Sequence, residues 1–252
     1  MLMVKTRIVE SEPALILQEK EEKHLVIADL HIGFEYTLSA NKIFLGSNSS
    51  VKQITTNLKN ILRNENINSV ILLGDIKSSI QYIAKNEWND IPYFFDEIKK
   101  EFDITLVPGN HDSNIQKLVP DGVSMISSKG LVIDDVLLTH GHSIPTENFS
   151  NVNRIIMGHI HPVFFQDNSL VNGQRVWISL KSRKDLIFPS RSGEIQVTVI
   201  PSFNPYFYTT QKPHYKKSIS PIIEKIKNDS IAKIITLDGA IIGNETELQG
   251  LV

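Results

Sequence analysis

A short apolar run that ends in chemically reactive side chains decides the fold: Leu25-Val26-Ile27-Ala28, followed by Asp29-Leu30-His31. Four consecutive apolar residues without polar alternation are typical of a strand that is buried on both faces of a sheet. Polar residues that follow such a strand lie at its carboxyl end, where open α/β sheets place their functional sites. The stretch therefore predicts an α/β fold with its chemistry at one sheet edge.

The same pattern recurs four more times along the chain. The later runs and their polar followers are Val70–Leu73 with Gly74-Asp75, Ile104–Val107 with Gly109-Asn110-His111-Asp112, Val136–Thr139 with His140-Gly141-His142, and Ile155–Met157 with Gly158-His159-Ile160-His161. Because the carboxyl ends of parallel strands meet at one edge, we expect the five clusters to lie together. Apolar residues at helical spacing predict helices between these strands, one from Ser50 and one from about Pro92.

The second half of the chain is predicted to be mainly strands, with one short helix. The predicted elements are strands over Val163–Phe165, Arg175–Leu180 and Ile195–Ile200, a helix near Pro221–Ile226, and a hairpin of Ile234–Leu237 with Ala240–Ile242. An opening hairpin is predicted from Ala14–Gln18 and Leu25–Ala28. No repeat or linker divides the sequence, so we expect a single domain over residues 1–252.

Composition narrows the class of protein further. The 252 residues carry 26 basic and 28 acidic side chains, and this near-neutral balance argues against a surface that is basic throughout. The absence of cysteine excludes disulfides, thiolate zinc sites, iron–sulfur clusters and cysteine nucleophiles. No apolar run reaches the length of a signal-peptide core or a membrane span, so we expect a cytoplasmic protein without membrane contact.

Histidines dominate the polar clusters. Six of the 8 histidines follow the predicted strands, together with Asp29, Asp75 and Asn110. If these residues were purely structural, many of their polar groups would be desolvated without a partner. Metal ions would supply the missing partners. Imidazole, carboxylate and amide ligands without sulfur suit Mn, Fe, Zn, Co or Ni. The ligands are too many for one tetrahedral ion, and they suit two ions about 3.5–4 Å apart that share a carboxylate.

The ordered motifs resemble those of the calcineurin-like metallophosphoesterases. The matching blocks are Asp29-x-His31, Gly74-Asp75, Gly109-Asn110-His111-Asp112, His140-Gly141-His142 and Gly158-His159-x-His161. Finer features are similar to the archaeal phosphoesterases related to the SbcD and Mre11 nucleases of DNA repair, namely Asp29–Glu35, Gly74–Lys77 and Pro201–Asn204. The resemblance implies a four-layer α/β/β/α sandwich of two mixed β-sheets flanked by helices. Its metal-site motifs span residues 29–161, and the second-sheet strands and C-terminal tail span residues 163–252.

The resemblance also implies a role for each matching residue. One divalent ion would bind Asp29, His31, Asp75 and His161, and the other would bind Asp75, Asn110, His140 and His159. Asp75 would bridge the two ions, and a hydroxide between them would attack phosphorus. His111, with Asn110 beside it, would contact the phosphate and protonate the leaving oxygen. Manganese is the expected metal, with iron, zinc, cobalt and nickel as alternatives.

Four residues near these motifs have open interpretations. Ser78 stands where many family members carry an aspartate that orients the catalytic histidine, so the group that orients His111 is unassigned. Asp112 could take that role, or it could cap the helix that follows. His142 could contact substrate or a ligand, or it could be a polar loop residue. Lys77 could bind a phosphate, or it could be a solvated loop lysine.

The substrate is predicted to be DNA, which would make the chain a phosphodiesterase or nuclease. A small phosphate ester, such as a monoester or a cyclic or dinucleotide phosphodiester, is the alternative, and a non-catalytic scaffold on the same fold is a remote one. Basic residues within 181–191 and 212–217 support DNA binding only weakly, since charge runs are usually solvated surface. An ATPase partner is not expected, because the 91 residues after His161 are needed for the second sheet and the tail. A homodimer remains open.

Overall fold

Two stacked β-sheets organise the chain. The computed structural model describes residues 4–43, 50–166, 168–207, 220–246 and 248. The first sheet contains, in spatial order, β1 (Lys5–Ile8), β2 (Leu15–Glu19), β3 (Glu22–Ile27), β4 (Ser69–Leu73), β5 (Asp103–Val107) and β6 (Ser124–Met125). Strands β3 to β6 are parallel to one another, whereas β1 and β2 are added by antiparallel pairing. The first sheet is therefore mixed.

The second sheet is also mixed. Its strands are β7 (Leu131–Ile133), β8 (Val136–Thr139), β9 (Arg154–Met157), β10 (Val163–Phe164), β11 (Gln174–Arg183), β12 (Glu194–Val199), β13 (Ile231–Thr236) and β14 (Ile241–Gly243). The spatial order is β14-β13-β11-β12-β9-β8-β7, and β10 pairs with β11. Strand β9 lies parallel to both β8 and β12, and the remaining pairs are antiparallel.

Helices flank the two sheets. They are α1 (Phe34–Ala40), α2 (Ser50–Asn64), α3 (Glu87–Lys99) and α4 (Pro221–Ile226), with single 3₁₀ turns at Ile115–Lys117, Glu147–Phe149, Lys184–Leu186 and Lys227–Asp229. The apolar faces of α2 and α3 pack in one core with the first sheet, and α4 packs in another with the second sheet. Within the described ranges, none of these helices has the length and apolar character needed to cross a membrane.

Alternating side chains of the buried strands serve two cores at once. In β3, Leu25 and Ile27 pack against α2 and α3, whereas Val26 packs between the sheets. Trp177 on β11 also lies fully buried between the sheets. Because both faces are covered, such strands need continuous apolar runs, which is the pattern in the sequence. The four-layer α/β/β/α architecture predicted from the sequence is confirmed.

The structure corrects the start of one helix and adds elements that were not predicted. Helix α3 begins at Glu87, not near Pro92, which lies inside it. The Glu87 carboxylate accepts a hydrogen bond from the Ala84 amide at 2.8 Å, so this residue ends the preceding loop and starts the helix. Strands β1, β6 and β7 and helix α1 have few buried residues, and their sequences carry little periodic apolar signal.

The five predicted strand ends meet at one edge of the sandwich. Strands β3, β4 and β5 of the first sheet and β8 and β9 of the second end there. Backbone hydrogen bonds join the loops that follow them: the Asp29 amide donates to the Gly74 carbonyl at 3.2 Å, and the His31 amide donates to the Asp75 carbonyl at 2.9 Å. The loops that carry the candidate ligands therefore hold one another in place.

Candidate metal centre

Two groups of side chains that share Asp75 lie where the strand ends meet. The buried cluster consists of Asp29, His31, Asp75 and His161, all of which are buried, and the open cluster consists of Asp75, His140 and His159. In each cluster the candidate ligand atoms lie within 4.8 Å of one another. Exposed Asn110 lies at the edge of the open cluster, with its Oδ1 3.1 Å from His140 Nε2. All residues predicted as metal ligands are thus brought together.

Each aspartate has one oxygen held by the backbone and one without a hydrogen bond. Asp29 Oδ2 accepts from the His159 amide at 3.0 Å, and Asp75 Oδ1 accepts from the His111 amide at 2.8 Å. Among the described residues, nothing donates a hydrogen bond to Asp29 Oδ1 or Asp75 Oδ2, although both oxygens are buried. A buried carboxylate oxygen without a partner is costly, and a cation removes that cost. The donor set therefore fits divalent metal ions.

Imidazole nitrogens face these two oxygens. His161 Nε2 lies 3.2 Å from Asp29 Oδ1, and His31 Nε2 lies 3.8 Å from Asp75 Oδ2. The two Nε2 atoms are themselves 3.1 Å apart. Two nitrogens that bind one ion at about 2.1 Å each are about 3 Å apart when they meet it at a right angle. The buried cluster therefore has the spacing of ligands around a common ion.

The His140 ring has a defined orientation in the open cluster. Its Nδ1 lies 2.9 Å from the Leu73 carbonyl oxygen, and a carbonyl only accepts, so Nδ1 carries the proton. Its Nε2 faces Asp75 Oδ1 at 3.3 Å. Asp75 therefore lies between the two clusters, with Oδ1 toward His140 and Oδ2 toward His31.

Electrostatics distinguish the ligands. Burial lowers the pKa of His31 well below its ordinary value, and burial with the charge of His140 lowers the pKa of His159 to about 4. Burial also lowers the pKa of His140, but Asp75 and Asp29 outweigh it and raise that pKa to about 9. For Asp75, burial raises the pKa, but His140 and His31 outweigh it and hold the pKa well below its usual range. Asp75 is thus ionised at neutral pH, and a metal ion must displace a proton from His140.

Strained backbone surrounds the two clusters. Left-handed φ angles occur at Asp29 (60°), His31 (40°), Asp75 (52°), His159 (73°) and His161 (51°). This conformation costs an ordinary residue about 1–2 kcal/mol, and such strain persists where the surroundings enforce it. Most of the predicted ligands therefore hold orientations that the chain would not adopt by itself, which is typical of functional sites.

Two glycines allow the ligand loops to approach one another. A Cβ atom on Gly109 would lie 2.3 Å from Asp75 Oδ1, and one on Gly158 would lie 2.5 Å from Asp29 Oδ2. Both distances are shorter than nonbonded atoms tolerate, so any side chain at either position would displace an aspartate. These glycines explain why the motifs combine glycine with ligand residues.

A segment far along the chain binds the loop that carries the first ligands. We call residues 201–207 the strap. Ser202 Oγ donates to the Asp29 carbonyl at 2.8 Å, and Asn204 Nδ2 donates to the Leu30 carbonyl at 2.9 Å. Both strap side chains are buried. The strap therefore satisfies carbonyls of the strained ligand loop and helps to hold its conformation.

Phe207 ends the strap above the buried cluster. Its ring stacks on His31 with centroids 3.7 Å apart and an angle of 7° between the planes. It also meets His161 edge-on at 4.6 Å and Phe34 at 4.7 Å. Sequence reasoning missed this residue, because one aromatic in a long polar loop has no periodic signal. The ring covers one side of the buried cluster.

His111 lies beside both clusters and remains 17% exposed. Its Nδ1 donates to the Ser78 carbonyl at 2.7 Å, and its Nε2 faces Asp75 Oδ2 at 3.7 Å. The group that orients His111 is thus a backbone carbonyl, at the position where the sequence lacks the aspartate. A backbone carbonyl is present at every residue, so no residue type in the sequence marks this contact.

Asp112 does not orient the neighbouring histidine. Its carboxylate accepts hydrogen bonds from the Ile76 and Gly109 amides, each at 2.8 Å. Burial, with the charge of Asp75, raises the pKa of Asp112 to about 6. Asp112 therefore joins two ligand loops, a role that neither of the sequence-based alternatives described.

Lys77 has a different role from either one predicted for it. The side chain is fully buried, and its Nζ donates to three carbonyl oxygens of the following loop, those of Ser79, Ile80 and Tyr82. An ammonium has three donors, so these carbonyls occupy all of them. This corrects the prediction of a substrate contact, and it also corrects the alternative of a solvated lysine.

His142 lies near the open cluster. Its ring centroid is 5.4 Å from that of His140, and the side chain is half-buried. In the part of the chain that the structure describes, its buried Nδ1 has no hydrogen-bond partner. Burial and the charge of His140 lower the pKa of His142. A contact with substrate stays a prediction.

The basic residues within 181–191 do not form a free positive strip. Lys181 pairs with Glu194 at 2.9 Å, and Arg183 pairs with Asp185 at 2.6 Å. Lys184 is buried, and its pKa is lowered by that burial. The second basic group, including Lys212, Lys216 and Lys217 with His214 and Tyr215, lies outside the described residues.

Comparison with solved structures finds chains of similar fold. The structure of nuclease MPE from Pseudomonas putida is similar with a TM-score of 0.54 at 15% identity, covering 94% of this chain and 100% of that one. An archaeal phosphodiesterase gives a TM-score of 0.39 at 16% identity, covering 76% of this chain and 96% of that one. A comparison with curated proteins gave no significant match.

Family membership follows from the sequence match and the site. Residues 23–187 match the family of calcineurin-like phosphoesterases, and this range contains both ligand clusters. The fold is that of the metallophosphoesterases, and the clusters suit divalent metals. The chain belongs to the calcineurin-like phosphoesterase family and is a hydrolase of ester bonds.

Proposed function

We propose that this chain is a two-metal phosphodiesterase that cleaves DNA. The observation that carries the proposal is the pair of buried oxygens, Asp29 Oδ1 and Asp75 Oδ2, which face imidazoles and accept no hydrogen bond from the described residues. The proposed ligands are Asp29, His31, Asp75 and His161 for one ion, and Asp75, Asn110, His140 and His159 for the other. These residues would hold two divalent ions, proposed to be Mn²⁺, which when bound would activate water at neutral pH and neutralise charge on the phosphoryl group.

The chain's own residues divide the remaining work. Asp75 joins the two clusters, and the His111 amide fixes its Oδ1. With Nδ1 donating to the Ser78 carbonyl, the other nitrogen of His111, Nε2, is free to hold and donate the proton that the leaving oxygen needs. Asn110 and His142 are proposed to contact the phosphate beside the open cluster.

DNA is favoured over a small phosphate ester by the fold and by the exposed side of the site. Nuclease MPE has the same fold over its whole length and is by name a nuclease. The open cluster is bordered by exposed Asn110 and partly exposed His111, so a long substrate has access from that side. We further propose a cytoplasmic location. An ATPase partner and a homodimer are not part of the proposal.

One experiment separates the substrate classes. The pure protein is incubated with Mn²⁺ and four substrates: labelled single-stranded DNA, labelled duplex DNA, bis(4-nitrophenyl) phosphate and 4-nitrophenyl phosphate. Asp75→Asn is the blank, because it keeps the side-chain size and removes the shared charge. Asp121→Asn, at an exposed position, is the matched control and should behave as the parent.

The outcomes distinguish a nuclease from an enzyme that acts on small phosphate esters and from a non-catalytic scaffold. DNA cleavage that Asp75→Asn lacks would support the proposal. Faster turnover of the monoester than of either diester, without DNA cleavage, would overturn the nuclease assignment and favour the small-ester alternative. Protein that takes up no metal and cleaves none of the four substrates would overturn the enzymatic proposal in favour of a scaffold.

A further inference from the structure

Two buried charged residues outside both clusters hold the loop that contacts His111. The loop consists of residues 78–84, between β4 and α3. Lys77 and Glu87 flank it and are 0% and 1% exposed. Charged side chains are seldom buried unless their charge is satisfied, so each requires a reason for its position.

Glu87 binds the amides of the loop. Its Oε1 accepts from the Ser78 amide at 3.0 Å and the Ser79 amide at 2.8 Å. Its Oε2 accepts from the Ala84 amide at 2.8 Å and from the Ser79 hydroxyl. These four donors satisfy the buried carboxylate. Glu87 therefore fixes both ends of the loop.

Lys77 binds the carbonyls of the same loop. Its Nζ donates to the Tyr82 carbonyl at 2.9 Å, to the Ile80 carbonyl at 3.2 Å and to the Ser79 carbonyl. The loop backbone thus presents amides to a carboxylate and carbonyls to an ammonium. One short stretch of backbone satisfies both buried charges. The two side chains in turn restrain that backbone from both sides.

The loop carries the contact to His111. The Ser78 carbonyl accepts from His111 Nδ1 at 2.7 Å, and the amide of the same Ser78 is held by Glu87 and by the Ile32 carbonyl. The Ser113 hydroxyl donates to the Ile80 carbonyl, which joins the loop to the chain just after His111. A shift of the loop would therefore move the only group in the described structure that orients the imidazole through Nδ1.

We propose that Lys77 and Glu87 are positioning residues for His111. They hold the 78–84 loop so that the Ser78 carbonyl keeps the imidazole protonated on Nδ1 and directed through Nε2 at the reacting phosphate. This inference rests on the proposed function, in which His111 is the general acid. It explains how the site orients its histidine without the aspartate that the sequence lacks at Ser78.

The test uses the dependence on the leaving group. A positioned acid matters for methyl phenyl phosphate, whose leaving group is poor, and little for methyl 4-nitrophenyl phosphate, whose leaving group departs without a proton. Glu87→Gln keeps the side-chain shape but replaces one acceptor oxygen with a donor. We expect kcat on the phenyl ester to fall about 10–100-fold, with little change in KM or in kcat on the nitrophenyl ester.

Control variants separate positioning from folding. Asp96→Asn, exposed on the same helix, and Lys85→Met, exposed beside the loop, should match the parent on both esters. If Glu87→Gln or Lys77→Met does not fold, Ser79→Ala removes only a hydroxyl, which contacts Glu87, the Tyr82 carbonyl and Lys77 Nζ. We expect Ser79→Ala to lower kcat on the phenyl ester less than Glu87→Gln does, again with little change on the nitrophenyl ester. Equal losses on both esters, at unchanged KM, would overturn the inference.

A spectroscopic measurement decides the inference independently of the acid role. Nitrogen-15 NMR of the protein loaded with diamagnetic Zn²⁺ reports which His111 nitrogen carries the proton, and His111→Asn assigns the signal. We expect a protonated Nδ1 in the parent and a shifted or averaged signal in Glu87→Gln. An unchanged signal would overturn the positioning role. His111→Asn could instead lower kcat equally on the phenyl and nitrophenyl esters while Glu87→Gln still shifts the NMR signal. The positioning role would then stand, and the proposed acid role of His111 would fail.

Discussion

The buried and open clusters share Asp75 but differ in their surroundings. In the buried cluster the most exposed ligand is His161, at 7%, and the Phe207 ring stacks on His31. The open cluster is bordered by exposed Asn110 and half-buried His142. One side of the centre is thus closed by protein, and the other is accessible from solvent. We therefore expect the closed side to retain its ion more tightly and the accessible side to meet substrate.

The largest expected effect comes from the residue that the clusters share. Asp75→Asn should remove both ions and lower activity at least about 10³-fold, because several kcal/mol of charge stabilisation are lost at once. Metal content after gel filtration, measured by mass spectrometry, should fall from two ions per chain toward none. Loss of a single ion would show that the clusters are less coupled than their common carboxylate suggests.

A pair of substitutions tests the difference between the clusters directly. His31→Ala should abolish the buried-cluster ion and reduce the free energy of unfolding by about 2 kcal/mol or more, since it empties a fully buried site. Asn110→Ala should weaken only the open-cluster ion and leave the metal-free stability nearly unchanged, since the side chain is exposed. Metal stoichiometry and thermal melting of both variants measure this. An equal fall in the stability of the two variants would contradict the difference between the buried and open clusters.

Much of both clusters could be predicted from the sequence, because each ligand follows a buried strand whose apolar run is visible locally. Asp29 and His161 lie far apart in sequence and follow strands of different sheets, yet both come directly after the carboxyl end of a buried strand, which is where sites gather. The predictions failed where a role depends on contacts between loops. Nothing local to Lys77 indicates that its ammonium binds carbonyls, and nothing local to Ser78 indicates that its carbonyl orients His111.

The next effect is a pH dependence that differs between the clusters. In the metal-free chain burial lowers the pKa of His140, but Asp75 and Asp29 raise it to about 9, whereas the pKa of His31 lies well below 6.5. An ion at the open cluster must displace the His140 proton, so its affinity should rise with pH below 9, by up to about tenfold per unit. Protonated His140 also adds to the free energy of unfolding of the metal-free chain. This stabilisation is complete below pH 6.5 and is lost as the pH rises through about 9.

Calorimetric titration of the metal-free protein with Mn²⁺ at pH 6, 7 and 8 measures this dependence. The open-cluster affinity should change with pH, whereas the buried-cluster affinity should change less, because His31 is already neutral. His24→Gln, on strand β3 near the opposite end of the sheet, is the matched control. It should leave the pH dependence of the Mn²⁺ affinity unchanged at both clusters. Parallel pH dependences at the two clusters would contradict the electrostatic difference.

The smallest expected effect concerns the ring that covers the buried cluster. Phe207→Leu removes a stacked aromatic pair worth about 0.5–1.5 kcal/mol, so the affinity of the buried-cluster ion should fall by up to about tenfold while that of the open-cluster ion stays the same. Phe207→Tyr keeps the ring and should restore the affinity. Tyr206→Phe is the control in the same strap, since it removes only a hydroxyl that donates to Gln53 on α2. An equal loss at both clusters would mean that the ring supports the centre as a whole, and the difference between a closed and an accessible side would lose its support.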